Sequence, residues 1–365
     1  MKAQFKHSYD QDINVFDDKR QLIKYGVLLL LLLMAPWLLS NYYISELSAI
    51  LIWSISGLGL MLLTGHTGQV SLGHAAFMAI GAFSHLALMS RGWNFFPALI
   101  ACAVITGVIG AMIARPILRT SGIYLAIATL ALSIIIEDIA IVAEPITGGI
   151  SGTFASPINL FGYTIDRYIT PKAFYYLCLA LVVLITFGYI NLLRSNTGRS
   201  FLAIRDSEVS ARALGVNVPQ AKTLAFSLSC AITAVGGAMY GHFVQAVNYE
   251  SFTVVISITI LLQIVIGGLG SIHGAFFGAV VVVLLPQVIA ILGDVIGQST
   301  GASITNIPGI DTALFALVIV IMIIYEPRGI YGMWIKIRTW FNMFPLYRKG
   351  LFRRSKTYLK TERMR

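Results

Sequence analysis

Charged side chains are scarce in this sequence. Only 12% of its 365 residues are Asp, Glu, Lys or Arg, whereas 57% are hydrophobic. A soluble domain would carry about 25% charged residues, so that class is excluded. The apolar residues come in unbroken blocks of about 16–25, the length that crosses a bilayer core about 30 Å thick. Because a transmembrane β-barrel would show shorter segments of alternating polarity, the sequence predicts an all-α polytopic membrane protein.

Cysteine and the common catalytic motifs are also lacking. The three cysteines, Cys102, Cys178 and Cys230, all lie inside apolar blocks, so they are interpreted as packed core residues rather than disulfides. The chain contains neither G-x-x-x-x-G-K-[ST] nor H-E-x-x-H, and it has no Cys/His spacing typical of a metal site. We therefore expect no enzymatic activity and no cofactor bound by this chain. If transport is driven by ATP, the ATPase must be another polypeptide.

About ten membrane spans are predicted from the apolar blocks. An even number places both termini on one side, and the positive-inside rule makes that side cytoplasmic. With this topology the cytoplasmic segments hold all but three of the 26 Lys and Arg residues, the exceptions being Arg91, Arg167 and Lys172. The predicted spans are residues 25–41, 46–63, 74–90, 96–114, 121–143, 172–193, 223–246, 253–267, 274–293 and 311–325.

Three regions follow from this topology. Residues 1–24 form a cytoplasmic segment whose acidic residues argue against a cleaved signal peptide. Residues 25–325 form the transmembrane domain, and residues 326–365 form a basic cytoplasmic tail. The net charge of +10 is spread between and beyond the spans, which argues against nucleic-acid binding. Aromatic residues alternate with Lys336 and Arg338 in the tail, so it is expected to bind membrane lipid as an interfacial segment.

The polar run at residues 194–222 separates two spans. It carries five basic residues and two acids, together with the signals of a short helix over 206–215. Asp206 or Ser207 supplies an N-cap, and Gly215 stands where the helix should stop. A connection between two spans needs no capped helix. The sequence therefore predicts a docking element on the cytoplasmic side.

Two glycine-rich segments interrupt the apolar pattern. Residues 65–73, GHTGQVSLG, are interpreted either as a cytoplasmic turn or as a broken segment that lines the translocation pathway. Residues 267–274, GGLGSIHG, repeat this composition and indicate either a tight backbone crossing or a trace of internal duplication. The predicted pathway residues are Gly65, Gly68, Gln69, Ser71, Gly73, His74, Gly267, Gly268, Gly270 and Ser271.

The fifth predicted span carries two acidic residues in its outer half. Glu137 and Asp138 lie near its outer boundary, where they serve either an interhelical role or an outer vestibule. The long outer loop that follows, residues 144–171, contributes Thr147, Gly148 and Gly149 to the vestibule interpretation. No span carries a charge near its middle, which argues against a proton- or sodium-driven carrier.

Five stretches in a fixed order resemble a known family. GHTGQVSLGHAAFMAIGAF (65–83), TGGISGT (147–153), AIRDSEVSARALGVNVPQAKTLAFSLS (203–229), GGLGSIHGAFFGA (267–279) and PRGIYGMW (327–334) are similar to branched-chain amino-acid ABC importer permeases, specifically the Liv M-type subunit. The resemblance implies the permease fold of the branched-chain amino-acid/ribose-type superfamily, with about ten helices in the inner membrane. It also implies import by alternating access.

The same resemblance implies partners. These are a homologous H-type permease subunit, two cytoplasmic ATPase subunits that use ATP and Mg, and a periplasmic or extracellular solute-binding protein. In such importers a cytoplasmic loop inserts a coupling helix into the ATPase, and Glu208, Ala211 and Gly215 match that loop, although Ser210 replaces its usual alanine. The residues expected to couple to the ATPase are Arg205, Asp206, Glu208, Val209, Arg212, Ala213, Leu214 and Gly215.

Alternative functions remain open. Relatives in the same family import urea or short amides, and the sequence shows no legible pocket that would choose between these solutes. A stand-alone secondary carrier and a membrane scaffold or channel subunit are the remaining possibilities.

Overall fold

Helices account for nearly all the regular structure. The computed structural model describes residues 19–118, 122–160, 162–300, 328–343 and scattered positions between 313 and 326. The longer helices are α1 (Lys19–Leu38), α2 (Asn41–Leu60), α3 (His74–Ser90), α4 (Phe95–Ile117), α5 (Ile123–Val142), α7 (Pro171–Arg194), α10 (Val218–Val244), α11 (Val254–Gly267), α12 (Ile272–Thr300) and α13 (Gly329–Met343). The shorter ones are α6 (Glu144–Thr147), α8 (Asn196–Asp206) and α9 (Glu208–Ala213).

The apolar helices confirm the polytopic prediction. In the part of the chain that the structure describes, seven helices are long and apolar enough to cross a membrane, and Ile23–Leu38 and His74–Ser90 are shorter apolar helices. Together they coincide with nine of the ten predicted spans. The tenth, residues 311–325, lies largely outside the described residues, as do most of the N-terminal segment and the tail beyond residue 343.

The two central helices are α2 and α10. In the span Asn41–Gly65, 83% of the apolar window is buried, compared with 28% in α5. Helix α10 packs against α2, α3 and α4. Its Gly237 approaches the backbone of Met78 so closely that a Cβ would clash, which is how small residues bring membrane helices together. The peripheral helices leave broad apolar faces exposed, as a bilayer requires.

The two ends of the bundle differ. The loop end carries residues 195–217, and the cap end carries residues 143–171. At the cap end, β1 (Thr153–Phe154) pairs with β4 (Ala246–Val247), and β2 (Ile158–Leu160) pairs with β3 (Tyr163–Ile165), both antiparallel. The all-α prediction missed these ribbons, because strands of two or three residues show no readable alternation.

The cap is joined to the end of α10. The Gln245 side chain donates from Nε2 to Asp166 Oδ2 at 2.7 Å, and Gln245 has a φ of 66°, the only positive value among the described non-glycine residues. Arg167 donates to the Phe243 carbonyl oxygen at 2.9 Å, and its guanidinium carbon lies 3.7 Å from the Phe243 ring centroid. The outer loop therefore has a fixed structure where the helix ends.

Candidate functional site

The first glycine-rich segment follows a distorted end of α2. After Leu60 the helix widens into a π-helical turn, Met61–Gly65, and ends with His66 and Thr67, and no regular structure follows until α3 begins at His74. Ser71 and His74 are fully buried, and Gln69 is 4% exposed. Most of the segment is therefore buried in protein, although Gly68 and Val70 are exposed.

Polar side chains from other helices satisfy this segment. The His74 ring lies 3.0 Å from Ser71 Oγ through Nδ1 and 2.7 Å from Ser229 Oγ through Nε2. The Leu72 amide donates to Thr129 Oγ1 at 2.9 Å, and the Ala75 amide donates to Ser257 Oγ at 2.8 Å. These contacts tie the segment to α5, α10 and α11. Sequence reasoning missed Ser229, Thr129 and Ser257, although small polar residues inside apolar spans are the signal that could have found them.

Gln69 is the exception to this pattern. Its amide nitrogen and oxygen are both buried, and neither has a hydrogen-bond partner among the described residues. A buried amide without a partner is costly by about 1–3 kcal/mol, so such a group calls for an explanation. Its backbone oxygen does accept a bond from Thr64 Oγ1 at 3.0 Å, which fixes the residue in place.

The two glycine-rich segments meet at the loop end. A Cβ on Gly65 would lie 2.9 Å from the Gly270 nitrogen and 3.2 Å from its Cα, so the two backbones cross without room for a side chain. Gly270 also has a φ of 78°, which favours glycine. This is the tight crossing predicted for residues 267–274; Gly267 packs against Gly274, and Ser271 Oγ donates to the Gly268 carbonyl oxygen at 3.0 Å.

Arg205 joins the polar loop to this crossing. Its Nη1 donates to the Gly65 carbonyl oxygen at 3.1 Å, and the same atom is the nearest neighbour of a Cβ built on Gly270. Its Cγ also faces Gly68. The loop is thus in direct contact with both glycine-rich segments, although Arg205 and Gly65 are 140 residues apart in the sequence.

His66 lies beside this contact, directly after the π-helical turn Met61–Gly65. Its Nδ1 is 3.1 Å from the Met61 carbonyl oxygen and 3.0 Å from Tyr189 Oη. Burial lowers the pKa of His66, and the Arg205 guanidinium lowers it further, against the opposing effect of the Met61 carbonyl. His66 is therefore protonated less readily than a free imidazole, so it adds less positive charge beside Arg205.

The polar loop contains two helices instead of the single helix predicted over 206–215. Asp206 ends α8, Ser207 is extended, and its Oγ accepts a hydrogen bond from the Ser210 amide at 3.2 Å at the start of α9. The predicted helix corresponds to α9, which begins after Ser207, one of the two predicted N-caps, whereas α8 was not predicted. The predicted stop is confirmed, since Gly215 has a φ of 88° directly after the last turn.

The α9 helix is held against α10 by one face. Glu208 forms an ion pair with Lys222, whose side chain is 9% exposed. Ala211 is buried together with Ile204 and Val218 beneath the helix. Away from this contact, Val209 in the helix and Leu214 directly after it are each 82% exposed, and Arg212 and Ala213 between them are exposed as well. The loop therefore presents an apolar pair to the exterior of the bundle.

The predicted vestibule residues lie at the other end of the bundle. Thr147 is buried and donates from Oγ1 to the carbonyl oxygens of Ala140 and Ala143, at 2.6 and 2.9 Å. Gly148 has a φ of 74° and ends α6, and the Gly149 amide donates to Thr147 Oγ1 at 3.1 Å. These three residues form a helix-ending turn. Glu137 is half-buried on α5, and the structure does not bring it together with the pathway residues.

One further polar pair was not predicted. His85 and His242 are buried near the cap end, with their Nε2 atoms 3.1 Å apart and the Phe95 ring against both. Among the described residues, no group of three or more His, Cys, Asp or Glu side chains could hold a metal ion. The pair joins α3 to α10 through a hydrogen bond and an edge-to-face ring contact.

Comparison with known proteins gives consistent matches. A family model described as "Branched-chain amino acid transport system / permease component" matches residues 42–325. The high-affinity branched-chain amino acid permease protein LivM of Salmonella typhimurium is 30% identical over 272 residues, covering 68% of this chain and 64% of that protein. LivM of Escherichia coli K12 is 30% identical over 280 residues, with 70% and 66% coverage. LivH of Escherichia coli K12 is 30% identical over 139 residues, covering 38% of this chain and 40% of LivH. The chain spans slightly less than two thirds of the length of these LivM proteins.

Proposed function

The chain belongs to the branched-chain amino acid transport permease family, and on this basis we propose that it is a permease subunit of an ATP-binding-cassette importer for branched-chain or related amino acids. It works beside an H-type permease subunit, two cytoplasmic ATPase subunits and an external solute-binding protein, in the inner membrane with both termini cytoplasmic. The names of the LivM and LivH relatives support this assignment. The observation that carries it is the exposed apolar pair of α9, Val209 and Leu214.

Helix α9 has the properties of a docking element. A Val or Leu side chain gains about 1.5–3 kcal/mol when it moves from water into an apolar site. Val209 and Leu214 are each 82% exposed in an otherwise polar loop. We infer that a partner subunit covers both side chains in the assembled transporter. A cleft in an ATPase subunit supplies that partner. Arg212 at the edge of the pair adds a charge that selects among possible surfaces.

Two contacts transmit movement of α9 into the membrane. The Glu208–Lys222 pair and the buried Ala211 join α9 to the first turn of α10. Arg205 joins the end of α8 to the crossing of Gly65 and Gly270. Closure of the ATPase dimer then displaces α10 and the crossing together, and the spans rock about the glycine-rich segments to alternate access.

The pathway passes the first glycine-rich segment in this proposal. Gln69 is buried with an unpartnered amide, and Ser71 and His74 lie within a few residues of it. When the spans part, these groups offer both donors and acceptors to the ammonium and carboxylate groups of an amino acid. The carriage of a polar solute past buried apolar helices requires such groups.

The proposal is tested by placing a charge in the apolar pair. Val209→Asp and Leu214→Asp should each abolish ATP-driven uptake of leucine in proteoliposomes and co-purification of the ATPase subunits. Each loses about 1.5–3 kcal/mol of burial and adds the cost of a buried charge. Ile150→Asp is the matched control, since Ile150 is 72% exposed at the cap end. Retention of ATPase binding by both loop variants would overturn the docking assignment.

The alternatives give different results in the same preparation. A secondary carrier would transport without any ATPase subunit. A permease for urea or short amides would assemble with ATPases, but leucine would neither be transported nor stimulate ATP hydrolysis in the presence of the binding protein.

A further inference from the structure

Helix α13 has an exposed apolar stripe. At 100° per residue, Met333, Trp334, Ile337, Trp340 and Phe341 fall within about 120° of the helix circumference. All five side chains are between 41% and 68% exposed. A helix of 15 residues with such a stripe is about 22 Å long, so the exposed strip is far larger than a single surface side chain.

Cations border the stripe on both sides. Lys336 lies about 40° beyond one margin and Arg338 about 40° beyond the other. The helix sequence, GIYGMWIKIRTWFNM, contains no acidic residue. Lys336 reaches Glu326 outside the helix at 2.5 Å, while its side chain remains 62% exposed. Long cationic side chains at the edges of an aromatic stripe are arranged to reach phosphate groups above an apolar layer.

The first turn of α13 is fixed where the spans end. The Tyr331 ring stacks on His273, with centroids 5.4 Å apart and planes inclined by 6°. His273 Nε2 is in turn 2.8 Å from Tyr25 Oη, at the start of the apolar run of α1. A Cβ on Gly329 would meet the backbone of Gly268, at the end of α11. The helix therefore leaves the bundle at the level where three spans reach the loop end.

We propose that α13 lies in the boundary between lipid and water at the loop end, with its apolar stripe among the acyl chains and Lys336 and Arg338 on the phosphates of anionic headgroups. The aromatic and aliphatic stripe with a cation at each margin and no acidic residue in the helix favours an anionic lipid surface over a protein partner. The two tryptophans occupy the position that Trp prefers at membrane interfaces. Cations close to an anionic membrane surface are attracted to it.

The test uses the full chain in nanodiscs with brominated lipids, which quench tryptophan on contact. The chain has five Trp residues, so the signal of Trp334 and Trp340 is obtained by difference from a Trp334→Phe/Trp340→Phe variant. We expect strong quenching of these two residues. Ile337→Asp places a charge in the stripe and should reduce the quenching by about twofold or more. Ile335→Asp is matched in residue type and exposure, lies 160° away from Ile337 on the helix, and should leave quenching unchanged.

Two results would overturn the proposal. Equal effects of the Ile335 and Ile337 variants would mean that the stripe does not face lipid. Tryptophans shielded from both brominated lipid and aqueous iodide in the assembled transporter would mean that a protein covers α13.

The proposed contact of Lys336 and Arg338 with anionic headgroups is tested by comparing nanodiscs of phosphatidylglycerol with nanodiscs of phosphatidylcholine. Quenching should be stronger with phosphatidylglycerol, and Lys336→Gln/Arg338→Gln should remove the difference. If this variant is still quenched more strongly in phosphatidylglycerol than in phosphatidylcholine, Lys336 and Arg338 do not bind the headgroups.

Discussion

The crossing of Gly65 and Gly270 gives the sharpest quantitative prediction. In Gly65→Ala the new methyl would lie 2.9 Å from the Gly270 nitrogen, whereas ordinary contacts begin near 3.4 Å. The nearest atom, Met61 Sδ at 2.5 Å, belongs to a flexible side chain that can turn away, but the Gly270 backbone cannot, so the two segments must move apart by about 0.5 Å. Overpacking of this kind costs about 1–3 kcal/mol. The same displacement lengthens the hydrogen bond from Arg205 to the Gly65 carbonyl oxygen.

Gly188→Ala is the matched control for this substitution. Gly188 lies inside α7, and a Cβ there would meet no atom within 4 Å. The control should be neutral or stabilising by up to about 1 kcal/mol, because alanine has the higher helix propensity. The difference between the two variants is then about 1–4 kcal/mol.

The assay is equilibrium unfolding of the purified chain in mixed micelles, followed by tryptophan fluorescence as the fraction of SDS is raised. Gly65→Ala should unfold at a lower fraction of SDS than the unsubstituted protein, and Gly188→Ala at the same fraction or a higher one. Midpoints that coincide for the two variants would show that the crossing is not tight. The position assigned to Arg205 would then have no support.

Three further predictions concern the loop and its contact. Glu208→Gln leaves the buried Lys222 without its partner and should destabilise the chain by about 1–3 kcal/mol, whereas Glu208→Gln/Lys222→Met should recover most of that loss in thermal unfolding. Arg205→Lys keeps the charge but loses the guanidinium that reaches Gly65, so ATP hydrolysis should continue while uptake falls; unchanged uptake per ATP would contradict this. Since the pKa of His66 is lowered in the folded state, the folded chain binds this proton more weakly than the unfolded chain. Stability should therefore be full above about pH 6.5 and fall as the pH drops below it, and His66→Gln should flatten that profile in unfolding measurements.

Most of the helices could be predicted from the sequence, because every helix that crosses a bilayer needs a continuous apolar stretch of similar length. A span must be apolar over its length, so nine of the ten predicted spans have a helix in the described residues. Cap chemistry is similarly local. Ser207 begins α9 and Gly215 follows its end, as their side chains and backbone freedom predicted.

The remaining features depend on residues that are distant in the sequence. Nothing near Arg205 indicates that its partner is the carbonyl of Gly65, and nothing near Glu208 indicates that Lys222 lies buried beside it. The sequence alone could not distinguish the helix-ending turn at Thr147 from part of a vestibule, because Gly148 and Gly149 are compatible with either structure. Composition predicted a polar, glycine-rich segment at residues 65–73, but its enclosure depends on hydroxyl groups from three other helices.

Helix α10 links the two ends of the bundle. It runs for 27 residues, about 40 Å, from the first turn that holds α9 to the residues that hold the cap. One element is thus fastened at both ends, by Lys222 on one side and by Phe243 on the other. Thermodynamic linkage then applies to the proposed transporter. If a partner bound at α9 changes the affinity of the cap for its own partner by some factor, a partner bound at the cap changes the affinity at α9 by the same factor. Nucleotide affinity at one face of the membrane should therefore report on what is bound at the other.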